Sequence, residues 1–134
     1  MSFDAGPFDL QSTPLVLGPQ GKATPKDMTP GFYAALNREF DGFAGHVLVS
    51  QHEFKEAWPS WERHPKGDEM VCLLSGDVDF VLRGEDGEQV VRVDRPGDYV
   101  VVPRGVWHTV RPRTRSSMLF VTPSEGTENT ESPV

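Results

Sequence analysis

Gly97-Asp98-Tyr99-Val100-Val101-Val102-Pro103-Arg104-Gly105-Val106-Trp107-His108 is the stretch on which the reading of this chain turns. A tyrosine followed by three β-branched valines favours extended backbone on a half-buried surface. Pro103 has no amide hydrogen to give a neighbouring strand, and Pro103-Arg104-Gly105 therefore breaks the run in a turn. The chain then resumes and delivers His108 close to that turn.

The same rhythm extends outward in both directions. His46-Val47-Leu48-Val49 precedes Met70-Val71-Cys72-Leu73-Leu74. Gly76-Asp77 turns into Val78-Asp79-Phe80-Val81-Leu82, and Asp86-Gly87 is a hairpin signal that returns through Val90-Val91-Arg92-Val93. Pro96-Gly97 turns again into the valine run, and Met118-Leu119-Phe120-Val121 closes the series. Short strands separated by turns predict an all-β antiparallel sandwich or barrel. Thr29-Pro30 supplies an N-cap followed by proline at the first helical position, and Phe32, Leu36 and Phe40 recur at helical spacing. One short helix is expected there, over residues 29–40, ending before Gly42.

A chain of 134 residues suits one domain, because two cores of half that size would each be marginal. Residues 1–24 are rich in Gly and Pro and read as an extended N-terminal arm. Residues 25–123 form the domain, and the polar stretch 124–134 is expected to be disordered. The net charge is −7, and removing Glu125, Glu128 and Glu131 of that stretch still leaves −4, which argues against a nucleic-acid surface. No apolar run approaches the ~20 residues that span a bilayer, so no membrane partner is expected. The one cysteine, Cys72, has no partner for an internal disulfide and suits a reducing cytoplasm. It reads as a small core residue rather than a nucleophile.

Chemistry-bearing side chains gather near the turns. Glu62 and His64 are two apart and share one side of extended chain. Pro65-Lys66-Gly67 then turns the chain into a strand that begins at Glu69. With His108, two imidazoles and two carboxylates converge from neighbouring strands, a donor set that suits one divalent zinc, iron, manganese or nickel ion. Trp58, Trp61 and Trp107 either line a ligand pocket or cover an apolar surface, and Arg104 either orients an anionic ligand or is a solvated turn residue. His46 and His52 match no pattern and read as ordinary strand and loop residues.

The opening stretch resembles the second conserved motif of the cupins: glycine, five residues, proline, one residue, glycine, two residues, histidine. Composition alone would place that spacing somewhere in the chain less than ~1% of the time. Glu62-Arg63-His64-Pro65-Lys66-Gly67-Asp68-Glu69, followed by Gly76, resembles the first motif. Glu62 stands where the first histidine usually is, Glu56 replaces the opening glycine, and Pro112 replaces the closing asparagine. The resemblance implies an antiparallel double-stranded β-helix, the jelly-roll barrel, with a metal near its mouth. It implies His64, Glu69 and His108 as ligands, and Glu62 as either a fourth ligand or a catalytic base. Small-molecule oxygenase, isomerase or lyase chemistry would follow, the alternative being a metal-stabilised barrel that binds a small ligand without turning it over. Cupins also commonly pair through edge strands, so a homodimer is expected.

Overall fold

The computed structural model describes residues 2–133. Eleven strands and one α-helix follow one another as β1 (Leu15–Leu17), β2 (Ala23–Pro25), α1 (Phe32–Glu39), β3 (Val47–Phe54), β4 (Trp61–Arg63), β5 (Glu69–Ser75), β6 (Val78–Gly84), β7 (Gly87–Val93), β8 (Tyr99–Val102), β9 (Trp107–Pro112), β10 (Ser116–Thr122) and β11 (Glu128–Thr130). They form two antiparallel sheets, ordered β2-β1-β3-β10-β5-β8 and β11-β4-β9-β6-β7. This is the expected all-β jelly roll. Among the described residues its sheets stay separate, so it is a two-layer sandwich rather than a cylinder of continuous hydrogen bonds.

Alternation along each strand builds the core between the sheets. Val71 and Leu73 of β5, Val100 and Val102 of β8, and Met118 and Phe120 of β10 face Val78 and Phe80 of β6 and Val110 of β9. Each large side chain buried there contributes about 1.5–3 kcal/mol relative to exposure. Cys72, expected in the core, is instead half-buried on the outer face of β5, because its neighbours Val71 and Leu73 take the inward positions.

Two glycines are dictated by geometry. Gly105 turns the chain at φ 76°, and its amide donates to the His64 carbonyl at 2.9 Å, tying the two loops that carry the histidines. Gly76 sits at φ 104° so close to β10 that a Cβ would lie 2.2 Å from Ser116 Oγ. No larger residue fits there.

Helix α1 forms where expected but starts later. Pro30-Gly31 form a turn, and the N-cap is Gly31 at φ 77° rather than Thr29. Phe32 and Leu36 are buried against Val16, Phe43 and Leu48 in a second apolar cluster. Asp41, Gly42 and Phe43 then run at φ 54°, 64° and 63°, a left-handed corner that is costly for an aromatic residue and is held by burial of the Phe43 ring.

The flanking segments are extended but docked. Within the arm, β1 pairs with β3, and Val16 is buried. Residues 124–133 do not stay unstructured as the polarity of 124–134 suggested, and Val134 lies outside the described residues. Ser124 and Thr127 close a turn, and β11 then pairs with β4, with Glu128 opposite Arg63 and Asn129 opposite Glu62. Backbone pairing and an Arg63–Glu128 ion pair at 2.9 Å substitute for the apolar contacts this segment lacks.

Candidate metal centre

One end of the sandwich is polar where the rest is apolar. Glu62 on β4 lies opposite His108 on β9, and both face inward with His64 just beyond β4. From the facing sheet comes Glu69, the first residue of β5. One donor atom from each of these four side chains lies within 4.8 Å of all the others. Glu69, His108 and His64 are 1%, 0% and 4% exposed, whereas the Glu62 side chain is 24% exposed and opens toward solvent.

Hydrogen bonds on the far sides of the rings fix what faces inward. His108 Nδ1 lies 3.1 Å from the Val106 carbonyl, which can only accept, so Nδ1 carries the hydrogen. The Thr127 hydroxyl donates to the Ser124 carbonyl at 2.9 Å and is left to accept from His64 Nδ1 at 2.8 Å. In its neutral form each imidazole therefore turns its Nε2 lone pair toward the carboxylates. His64 Nε2 lies 3.3 Å from Glu62 Oε1 and 3.3 Å from Glu69 Oε2. His108 Nε2 lies 3.5 Å from Glu62 Oε1 and 3.0 Å from Glu69 Oε1. Thr122 on β10 donates to Glu69 Oε2 at 2.5 Å and orients that carboxylate.

Four acceptors pointed at one another repel unless positive charge lies between them. Among the described residues, His64 Nε2, His108 Nε2 and Glu69 Oε1 are the buried side-chain atoms left without a hydrogen-bond partner. Such atoms are rare and each calls for an explanation. Without a metal the charge must come from protons. Burial alone would push the imidazoles down, but the carboxylates of Glu62 and Glu69 outweigh it and raise both His64 and His108 to about 9. Burial would likewise raise Glu62, but the two histidines draw it down to about 2, and Glu69 is also lowered. A divalent cation satisfies the same four atoms. Donors held at ~2.0–2.2 Å from one ion lie roughly 3–3.5 Å from each other, and the four histidine–carboxylate separations fall in that range. This cluster can hold a metal ion.

Glu62, His64 and Glu69 border a cavity of about 560 Å³ between α1 and the sheet ends, and His108 lies behind them. Of the tryptophans and Arg104 weighed above as pocket residues, Trp58 lines this cavity, stacked on Phe120 with ring centroids 5.8 Å apart. Trp107 and Arg104 do not. Trp107 precedes inward-facing His108 in a strand and so faces outward, where the Arg63 guanidinium lies 4.5 Å above its ring. Arg104 is exposed on its turn, and its backbone amide donates to Asp68 at 2.8 Å. Trp61 also stays outside the cavity, opposite Thr130 of β11.

Four contributors escaped the sequence reading. Thr122 and Thr127 orient Glu69 and His64, and His52 and Tyr33 line the cavity. His52 shares the inward side of β3 with Leu48 and Ser50, an alternation visible in the sequence. Burial lowers its pKa despite an opposing pull from Glu62, and burial, with Glu62 second, raises that of Tyr33. His46 instead packs between Phe40 and Phe43, away from the cavity.

Thr127→Val keeps the shape of the side chain but removes the acceptor for His64 Nδ1. Metal affinity is expected to fall about 10–100-fold, measured by competition with a chromogenic chelator. Unchanged affinity would show that Thr127 does not orient the ring.

The chain is similar in structure to a cupin-2 domain protein from Shewanella frigidimarina, at 18% identity over 57% of this chain and 70% of that one, TM-score 0.49. It is also similar to a cupin superfamily protein from Desulfitobacterium hafniense, at 24% identity over 57% of this chain and 65% of that one, TM-score 0.48. Salicylate 1,2-dioxygenase from Pseudoaminobacter salicylatoxidans, determined with gentisate, matches at 15% identity with TM-score 0.53, over 64% of this chain but 24% of its own. At these identities the likeness is one of fold. No curated protein sequence matches the chain. The sequence profile of the cupin domain matches residues 51–122, which hold β4 to β10 and all four clustered donors. On that match, covering more than half its length, the chain belongs to the cupin family.

Proposed function

We propose that this cupin is a small-molecule enzyme that holds one divalent ion through Glu62, His64, Glu69 and His108 beside the cavity. The observation that carries it is the buried set of lone pairs, two nitrogens and two carboxylates, converging with only Glu62 open to solvent. A site built for stability alone would be closed on every side. Here Glu62, His64 and Glu69 border a cavity within the usual ~300–1,000 Å³ of small-molecule sites.

A bound zinc, iron, manganese or nickel ion would polarise a substrate oxygen, and a redox-active one could also use O₂. The remaining roles belong to the chain. Glu69 and the histidines are fixed by Thr122, Thr127 and the Val106 carbonyl, so the donor set is preorganised. Trp58 and Phe120 exclude water from one wall, and His52, kept neutral by burial, can hold or pass a proton at a ring nitrogen.

Elemental analysis of protein purified without an affinity-tag metal tests the proposal, with about one ion per chain expected. Titration calorimetry in buffers of different ionisation enthalpy adds the pH dependence. With both histidines at about 9, each carries a proton at pH 7 that an incoming ion must displace, so roughly two protons are released per ion. Affinity should rise as pH approaches 9 and level off above it. Stoichiometric metal with no exchangeable water on it would instead support a non-catalytic binding barrel.

We also infer a homodimer in a reducing cytoplasm. Met70, Cys72 and Leu74 of β5, with Tyr99 and Val101 of edge strand β8, form an outward apolar patch, and Tyr99 and Val101 are 61% and 52% exposed. Light scattering that reads a monomer at micromolar concentration would sink the dimer. No described helix is long and apolar enough to cross a membrane.

A further inference from the structure

We propose that the cavity selects an uncharged, ring-bearing organic molecule that offers a hydroxyl or carbonyl oxygen to the metal centre, and rejects carboxylates and phosphates. The inference rests on the metal-binding reading above. Its first support is charge. Among the described residues the cavity lining contains no lysine or arginine. Arg63, between Glu62 and His64 in the sequence, is engaged elsewhere: it lies over Trp107 and pairs with Glu128. Glu62 and Glu69 together cancel the charge of a divalent ion, leaving no net positive charge to receive an anion. A buried anion without a paired cation is costly.

The second support is shape and surface. Trp58 stacks on Phe120 at an interplanar angle of 29°, and with Phe43, Leu36 and Leu48 they give the cavity an aromatic and aliphatic wall. Flat rings bind such a wall by stacking and by loss of apolar surface from water. The polar groups that remain are neutral, among them Ser50 and His52 on β3, Ser60, Asn129 and the Tyr33 phenol. His52 packs edge-on against Phe120 at 5.4 Å and makes no side-chain hydrogen bond within the described residues, so its ring nitrogens are available to a ligand. Hydroxyl, amide and neutral imidazole groups recognise hydroxyl and carbonyl oxygens without demanding charge.

The experiment compares 2-naphthol with 2-naphthoate, which share one ring system and differ in charge at pH 7. Each is titrated into the full-length, metal-loaded protein and followed by quenching of tryptophan fluorescence, to which Trp58 contributes. Saturable binding of 2-naphthol, with 2-naphthoate at least tenfold weaker, is the expected result. Equal or tighter binding of 2-naphthoate would overturn the inference, and so would no saturable binding of 2-naphthol. Asn37→Arg places a cation at the cavity rim on an exposed helical position, where folding is not at risk. It should narrow the gap by strengthening 2-naphthoate several-fold, whereas an unaltered gap would show that charge does not set the preference and would overturn it. Metal content is read on the same samples. Protein that takes up no metal sinks the metal assignment and this inference with it, whichever ligand it prefers, whereas a metal-loaded sample that prefers 2-naphthoate overturns this inference alone.

Discussion

Replacing His108 with alanine is expected to strip the metal and leave the protein folded. His108 is fully buried, its Nε2 is 3.0 Å from Glu69 and 3.5 Å from Glu62, and its ring stacks on Phe80 at 5.7 Å. A complete four-donor zinc site is worth about 10–16 kcal/mol near neutral pH, so one donor carries roughly 3–4 kcal/mol. Affinity should therefore drop by about two to three orders of magnitude. The structural cost is smaller. The variant leaves a gap beside Phe80 and one fewer partner for Glu69, about 1–3 kcal/mol, while the apolar core between the sheets is untouched. Elemental analysis and circular dichroism on the same sample separate the two effects. Unchanged metal content with a native spectrum would remove the site from this end of the sandwich.

That separation explains how much the sequence disclosed. The strands and the turns at Gly76, Gly97 and Gly105 were legible because each follows from local chemistry: β-branched runs, a proline without an amide hydrogen, and backbone that only glycine tolerates. The four clustered donors were legible because alternation places Glu62 and His64 on one side of a strand, and the spacing of the second motif places His108 past its turn. Applied consistently, the same alternation would have turned Trp107 outward, since it neighbours an inward histidine, and would have drawn His52 into the cavity with Leu48 and Ser50. Thr127 was out of reach for a different reason. Its segment has almost nothing apolar to bury, and what fixes it is pairing of β11 with β4, a contact between residues more than sixty apart. The late start of α1 has a similar cause, because a Thr-Pro pair caps a helix only where the next residue is free to enter it. Here Pro30-Gly31 turn first, and burial of Phe32 and Leu36 decides where the helix sits.

Glu62 is where this chain departs from the commoner cupin pattern, and Glu62→Gln is expected to weaken metal binding by about two orders of magnitude or more. The same apportioning of a complete site among four donors gives that figure. The geometry favours a ligand role: one oxygen, Oε1, lies 3.3 Å from His64 Nε2 and 3.5 Å from His108 Nε2, as an atom sharing an ion with both would. The amide of glutamine fits the same space but brings no negative charge, and one of its ends is a donor that a cation repels. Glu62→His should then hold the metal, because it restores a third imidazole on the same side of β4. A catalytic base in that position would behave otherwise. Glu62→Gln would keep the metal and lose only proton transfer, typically ~10²–10⁴-fold in rate. A chelator competition on both variants near pH 7 distinguishes these outcomes without knowledge of the substrate. Weak binding in Glu62→Gln, recovered in Glu62→His, assigns the carboxylate to the metal. Wild-type affinity in Glu62→Gln would move it to the proton, and the site would then be two histidines and Glu69 with a free carboxylate at its open side.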